Sequence, residues 1–552
     1  MAVGIGYTPE VIKEYFRKGY WTDTTLSEAW EETAEQYPDR EAIVDSRTRL
    51  TWSQARQRID SYALGFAELG IRRDDVIVIQ LPPSVDLLLL RVACEKAGIL
   101  GIVATRTLRH REMEYIINKS EPVALVIPYE FGGFNYYQML EEMRPHIAPI
   151  KYCFIEGDTM PQGTIALADL RNQFREQKYS HDYLNPRKFS AIETSLIVHT
   201  TGTTGMPKLV EHAACSRLWQ ARDWMTRLNL TAADTLGMFL PAPAGPNTPV
   251  YYGAPQIGAK VVILEKFTPE EALELIQKEK ITFAVFVPTM LLLMTSHPNF
   301  EKYDVSSLRL VQTAGAPLPY QAGIEVERKL QRPIYQVYGG IDHDPTTMHS
   351  LGDSFDVRHL TVGKPISGSE FRILDDEGRK VPKDQVGEVW GRGAACPPGF
   401  YKDEETFLSV WKTGYINTED LGKWDEEGNL VLAGRKRDII IRGGQNVYPN
   451  EVEELLQTHP QLADAAVVKM PDPIMGEKGC AYIVPQGGES VSIEGIISFL
   501  RGKKLASYKL PERIEFIDKI PRIEGQLKVD KKVLEKDIAE KLSAEGKYRQ
   551  LL

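Results

Sequence analysis

Apolar positions along this chain alternate between two spacings. Ser53 to Leu69 carries them at helical intervals, Val76-Ile77-Val78-Ile79 is an unbroken run of strand length, and Leu87 to Lys96 is helical again. Val123 to Ile127 and Ala259 to Leu264 read as further strands, and Pro269 to Lys280 as a helix leading into the strand Phe283 to Val287. This strand–helix–strand rhythm predicts largely parallel sheets covered by helices. After about Val362 the pattern becomes short strands with polar turns: Phe371 to Leu374, the turn Asp375-Asp376-Glu377-Gly378, then Gly387 to Trp390. Those elements predict a small antiparallel unit. From Asp438 onward a separate α+β piece is expected, with helices over Pro449–Thr458 and Ser492–Arg501, a strand at Ala465–Val468 and a basic helical tail.

The longest greasy stretch, Val85 to Val103, is interrupted by Asp86, Arg91, Glu95 and Lys96. It reads as a buried helix followed by a strand, not a membrane span. Met1 to Arg17 lacks the apolar core of a signal peptide. A net charge of −10 repels nucleic acid and anionic membranes, so an anionic substrate would need a local positive site. Five scattered cysteines, odd in number and without metal-ligand spacing, fit reduced structural residues and a cytoplasmic protein.

The candidate chemistry lies in loops. His199-Thr200-Thr201-Gly202-Thr203-Thr204-Gly205-Met206-Pro207-Lys208 follows the apolar run Leu196-Ile197-Val198. Glycines let backbone N–H groups converge on phosphate oxygens, hydroxyls add donors, and the lysine adds a mobile positive charge. The spacing is not that of the GxxxxGK[ST] phosphate loop. Further on come Thr313-Ala314-Gly315-Ala316-Pro317-Leu318 after the strand Leu308 to Val311, then Gln336-Val337-Tyr338-Gly339-Gly340-Ile341-Asp342. Thr418-Glu419-Asp420, Gly434-Arg435 and Gly525-Gln526-Leu527-Lys528 complete the set. Singly, each has a plainer reading: Tyr338 as core packing, Asp420 as a turn residue, the lysines from Lys528 to Lys532 as a solvated helix face.

In this order and spacing, from roughly Trp21 to Leu534, the segments resemble the AMP-forming acyl-adenylate superfamily: acyl-CoA synthetases, adenylation domains and luciferases. The resemblance implies a large N-terminal domain (1–434) of stacked α/β subdomains with a small β-barrel-like subdomain. A hinge at 435–438, pivoting at Arg437, would join it to a mobile C-terminal α+β domain (439–552). It also implies roles. Thr200, Thr201, Gly202, Thr203, Thr204, Gly205 and Lys208 would hold the β- and γ-phosphates of ATP, and Thr200 with Asp342 would hold Mg²⁺. Gly315, Ala316, Pro317, Gln336, Tyr338, Gly339 and Ile341 would line the nucleotide, with Asp420 and Arg435 on the ribose. Lys528 would bridge the carboxylate and the α-phosphate. Gly443 and Gly444 would line a pantetheine tunnel, with Lys436 toward the CoA phosphates. His199 is expected to end a strand, because the reaction abstracts no proton.

Four positions depart from the family's pattern. Ile341-Asp342 stands where Thr-Glu is common, Glu419 where glycine is usual, and Arg437 where lysine or aspartate is typical. Lys528 follows Pro521 by seven residues instead of six; the register of 528–534 favours Lys528 as the adenylation lysine, with Gln526 the other residue at that end. Hydroxybenzoate-activating relatives tend to have His-Asn where this chain has Ala244-Gly245. With Gly340, these small residues suggest a compact apolar carboxylate: benzoate-like, cyclohexanecarboxylate-like or medium-chain. CoA is the favoured acceptor, a carrier protein the alternative, and a non-catalytic nucleotide-binding protein the remaining reading.

Overall fold

The structure is a computed structural model. It describes residues 3–545 except 173–174, 176–177, 181, 201–205, 242–244, 317, 319, 443–444, 473–474, 488–490, 504 and 524–528. Two sheets dominate the described residues. One has seven strands, and its parallel part runs through Thr194–His199, Leu100–Val103, Val76–Ile79, Ala124–Pro128, Tyr152–Glu156 and Ile165–Ala166. Leu209–Ala213 closes its edge as an antiparallel partner of Thr194–His199. The other sheet has nine strands, with Ile334–Tyr338, Leu310–Thr313, Phe283–Phe286, Thr235–Met238, Lys260–Ile263 and Glu41–Val44 parallel in sequence across it. Strands such as Val76–Ile79 and Phe283–Phe286 are buried at every position, which is why they read as continuous apolar runs.

Local signals fix the helices. Thr51 and Gln54 form a capping box that starts Trp52–Glu68. Ser84 caps Val85–Lys96, and Thr268 with Pro269 at the first turn starts Pro269–Glu279. Val85–Lys96 is buried along its whole length, as the sequence suggested.

The antiparallel unit is an open sheet, correcting the barrel-like expectation. Ser369–Leu374, Gly387–Gly393, Tyr415–Trp424 and Trp411–Lys412 follow one another, and Leu430–Arg435 pairs with Tyr415–Trp424. Its two edges do not pair. The C-terminal part has its own five-stranded sheet, built on the pair Leu462–Asp472 and Gly476–Pro485, and its own cores around Ile440, Val452 and Ile496 and around Tyr482 and Ile538. The helices Pro449–Gln457, Ile493–Gly502 and Lys531–Ala544 match the expected ones. All five cysteines are free and buried. Among the described residues, no helix is long and apolar enough to cross a membrane.

Candidate active site

Parallel strands end their hydrogen-bonding ladders with loops at their carboxyl edges, where α/β proteins bind ligands. Three such ends supply the site here: those of Thr194–His199, Leu310–Thr313 and Ile334–Tyr338. At the first, the Thr200 N–H donates to the Lys208 carbonyl (3.0 Å), and the Lys208 N–H donates to Thr200 Oγ1 (3.1 Å). The hydroxyl-rich loop is therefore tied at its neck. Thr201, Gly202, Thr203, Thr204 and Gly205 lie outside the described residues. His199 is buried; its Nε2 accepts from the Thr105 N–H (3.1 Å), which leaves the proton on Nδ1 to donate to the Thr200 carbonyl (3.0 Å). Burial lowers the imidazole's pKa, so His199 is a neutral strand-end brace, as expected.

Strand order brings distant residues together. Lys208 Nζ lies 3.2 Å from Asp342 Oδ2, across 134 positions of sequence. Burial works to raise the Asp342 carboxyl, but His343 and Lys208 outweigh it and hold it below the usual carboxylate range. The Asp342 carboxylate and the Thr200 hydroxyl, each bonded to Lys208, are the kind of oxygen donors that fit Mg²⁺, which takes one or two protein oxygens and completes its shell with phosphates. Among the described residues no cluster of three or more His, Cys, Asp or Glu could hold a metal without such help.

A second cluster forms where the nine-stranded and antiparallel sheets meet. The Tyr338 hydroxyl donates to Asp420 Oδ2 (2.7 Å), and Arg435 Nε lies 3.4 Å from Asp420 Oδ1. Tyr338 and Asp420 are both buried, and burial followed by the Asp420 charge pushes the phenol well above its ordinary value. Gly315 holds φ +83°, a left-handed conformation that suits glycine, and Ala316 beside it is exposed. Pro317 lies outside the described residues. Both amide atoms of Gln336 bond backbone: Oε1 accepts from the Leu318 N–H (3.1 Å) and Nε2 donates to the Arg358 carbonyl (2.8 Å). It anchors the end of the Gly315 loop. Gly339 and Gly340 follow Tyr338, and the His343 ring packs so closely on Gly340 that a Cβ there would fall 2.1 Å from Nε2.

Beyond Ile341 lies a cavity lined by Ile341, Gly245, Val103, Leu196, His212 and Arg91, among others. The centre of a water molecule has about 20 Å³ to move in, within about 400 Å³ of non-atom space, so an acid enters only as the lining moves. The His212 Nε2–H donates to the Ile341 carbonyl (3.3 Å), and burial, then Arg217, keeps this imidazole neutral. Ala244 lies outside the described residues. Sequence reasoning missed the cavity's inner end, which includes Tyr251 and Tyr252 on the π-helical turn Pro249–Gly253. Two adjacent tyrosines followed by Gly253 were the available signal. Arg91 and Arg217 also line this space.

The hinge and tail residues stand as follows. Lys436 Nζ pairs with Asp376 (3.0 Å) and Glu388, and the Arg437 carbonyl accepts from Lys469 Nζ (3.1 Å). Gly443, Gly444 and Lys528 lie outside the described residues. On the described residues to either side, the Asp530 N–H donates to the Pro521 carbonyl (2.9 Å) and Arg522 pairs with Val529.

Loops at parallel strand ends, with a lysine–carboxylate pair and a buried tyrosine–aspartate–arginine cluster, define a ligand-binding α/β protein of the nucleotide-handling kind. The chain belongs to the AMP-binding enzyme family, which it matches over residues 30–401, and it matches the AMP-binding enzyme C-terminal domain over 451–525. This is a family of adenylate-forming ligases. The 2,3-dihydroxybenzoate-AMP ligase of Bacillus subtilis (strain 168) is 30% identical, over 98% of this chain and 99% of its own. The medium-chain fatty-acid–CoA ligase of Escherichia coli (strain K12) is 29% identical, over 98% of this chain and 95% of its own. The fold is that of the anthranilate CoA ligase AuaEII in complex with anthranoyl-AMP, with a TM-score of 0.85, 22% identity and coverage of 95% of this chain and 98% of that one.

Proposed function

We propose that this chain is an AMP-forming acyl-CoA synthetase for a compact carboxylate. The acid's oxygen attacks the α-phosphorus of ATP, pyrophosphate leaves, and the CoA thiol then displaces AMP to give the thioester. The observation that carries this reading is one of adjacency. Ile341 lines the acid cavity and Asp342, the next residue, pairs with Lys208, so the acid pocket and the phosphate-facing charges share one loop.

The chemistry brings two like-charged groups together, so charge neutralisation and positioning do most of the work. In this reading Lys208 leaves Asp342 for the phosphates, and Asp342 and Thr200 hold Mg²⁺, which neutralises phosphate charge when bound. Gly315, Ala316 and Tyr338 flank adenine, with Pro317 completing that edge. Asp420 accepts from the ribose hydroxyls while Tyr338 and Arg435 fix its orientation. Ile341 carries no hydroxyl for the α-phosphate, which leaves that contact to Lys528. Rotation about Arg437 then brings Gly443 and Gly444 toward the thiol, with Lys436 released from Glu388 and Asp376 toward CoA.

The second reading, an adenylating enzyme that loads a carrier protein, is favoured by the likeness to the dihydroxybenzoate-AMP ligase. Against it, Gly245 offers no amide to a ring hydroxyl, and a site that cannot satisfy a hydroxyl discriminates against it. The test is a panel of acids with ATP, Mg²⁺ and CoA, following AMP and thioester together. Thioester formed in step with AMP supports the synthetase. Acyl-adenylate without thioester supports carrier loading, and no AMP with any acid removes both.

A further inference from the structure

Helix Val85–Lys96 is buried throughout yet carries four charged side chains, and three of them have partners. Asp86 accepts from the Tyr62 hydroxyl and from Arg171, both at 2.6 Å. Glu95 accepts from the Ser27 N–H (2.9 Å) and the Ser195 hydroxyl (2.8 Å). Lys96 pairs with Glu31 (2.5 Å) and Asp60. Arg91 differs. It is only 7% exposed, its Nε is sealed from solvent and without an acceptor, and among the described residues its guanidinium makes no hydrogen bond and no ion pair.

What Arg91 has is two aromatic faces and a cavity. The guanidinium lies 4.6 Å from the Tyr251 ring centroid and 4.4 Å from that of Tyr252. Ring faces attract a cation but accept no planar fork of N–H donors. A buried cation with no bonded acceptor is costly, and the acceptors nearby are bonded elsewhere. Burial pushes the carboxyl of Glu95, one turn along the helix, upward; bonds from Ser27 and Ser195 and the Arg91 charge oppose this, yet no hydrogen bond joins Glu95 to Arg91. Asp344 is taken by Arg217 and Gln220. His212 is neutral and adds no competing positive charge.

We infer that Arg91, stacked on Tyr251 and Tyr252 in the acid cavity, is a specificity-determining residue for a second anionic group on the substrate, so that the acid is a compact dicarboxylate or an equivalent dianion. One carboxylate is activated beside Ile341 and Asp342, and the other is held by the guanidinium fork. This rests on the adenylation reading and refines its substrate. Charge-assisted bonds to an arginine fork are roughly twice as strong as neutral ones, so discrimination of about 10- to 100-fold is expected.

The test uses the full-length protein and ATP–pyrophosphate exchange with pairs of acids that differ only in a distal carboxylate: benzoate against isophthalate and terephthalate, cyclohexanecarboxylate against its 1,3-diacid, hexanoate against adipate. In the wild type, kcat/KM should favour a diacid in at least one pair by about 10- to 100-fold. Arg91→Gln should reverse that preference, and Arg91→Lys should retain part of it. If monoacids win every pair, the inference falls while the adenylation reading stands. A diacid preference that survives Arg91→Gln also overturns it. Should Arg91→Gln not fold, the wild-type ratios still decide. Absence of exchange with both members of every pair overturns the adenylation reading and the inference with it.

Discussion

The contact between Tyr338 and Asp420 gives the most direct measure of the nucleotide site. The perturbation is a cycle of three variants: Tyr338→Phe, Asp420→Asn and the double substitution. Tyr338→Phe keeps the buried ring and removes only the donor that lies 2.7 Å from Asp420 Oδ2. A hydrogen bond to a charged, buried acceptor is worth about 1.5–3 kcal/mol net. The other partner is weaker: Arg435 is 3.4 Å away with a side chain 36% exposed, where solvent screening holds a pair to roughly 1 kcal/mol or less. Tyr338 therefore carries most of the orientation of Asp420.

If Asp420 binds the ribose, Asp420→Asn should raise the KM for ATP by about ten- to a hundredfold, the equivalent of one lost charge-assisted bond, and leave the KM for the acid nearly unchanged. In the Tyr338→Phe background the same substitution should cost less, with a coupling of about 0.5–3 kcal/mol. The coupling should also be flat across neutral pH, because burial and the adjacent carboxylate keep the Tyr338 phenol protonated far above its ordinary range. The assay is pyrophosphate exchange with ATP and acid varied independently, beside denaturant unfolding of each variant. The argument fails if Asp420→Asn moves the acid KM and not the ATP KM, or if the effects add to within about 0.3 kcal/mol.

Two stability predictions follow from individual residues. Glu419 sits at φ +61° and is exposed, a conformation that costs a side-chain-bearing residue and suits glycine. Glu419→Gly should stabilise the protein by up to about 1 kcal/mol, since the Asn417 Oδ1 bond to its N–H is retained; a lower denaturant midpoint would contradict this. His349 is buried, with Nδ1 accepting from the Gln336 N–H and Nε2 facing the Val357 carbonyl, and burial lowers its pKa from 6.5 to about 4. Its folded pKa lies below its unfolded one, so the unfolded chain binds more protons between these values. Stability should then fall as pH drops from about 6.5 toward 4, and His349→Gln should flatten that slope in urea unfolding at stepped pH.

Legibility in the sequence followed the range of the interactions. Val76–Ile79 and Phe283–Phe286 were readable as strands because both faces of a covered parallel sheet are apolar, and Pro269–Glu279 because its cap and first-turn proline are local. The loops bearing Thr200, Tyr338 and Asp420 were readable as a set because their order along the chain carries the resemblance. What could not be read was which of their atoms meet. The Lys208–Asp342 pair spans 134 positions and the Tyr338–Asp420 bond 82, and both follow from strand order, to which no local propensity refers. Gln336 is similar: its amide bonds the Leu318 N–H and the Arg358 carbonyl, backbone partners that the residue type does not disclose.

Arg91 marks the sharper limit. In the sequence it stood beside Asp86, Glu95 and Lys96 as one of four charges arguing against a membrane span, and nothing in the residue types separated them. In the fold, three of those charges find partners on neighbouring elements, whereas Arg91 meets the ring faces of a π-helical turn and an enclosed space. A charge buried for stability should come with its counter-charge, because the chain alone must compensate its desolvation. A charge buried with no acceptor bonded to it is better explained by something that arrives later. The partner inventory of a buried helix thus carries functional information that its hydrophobic pattern conceals, and in this chain it bears on the one property the loops left open, the identity of the acid.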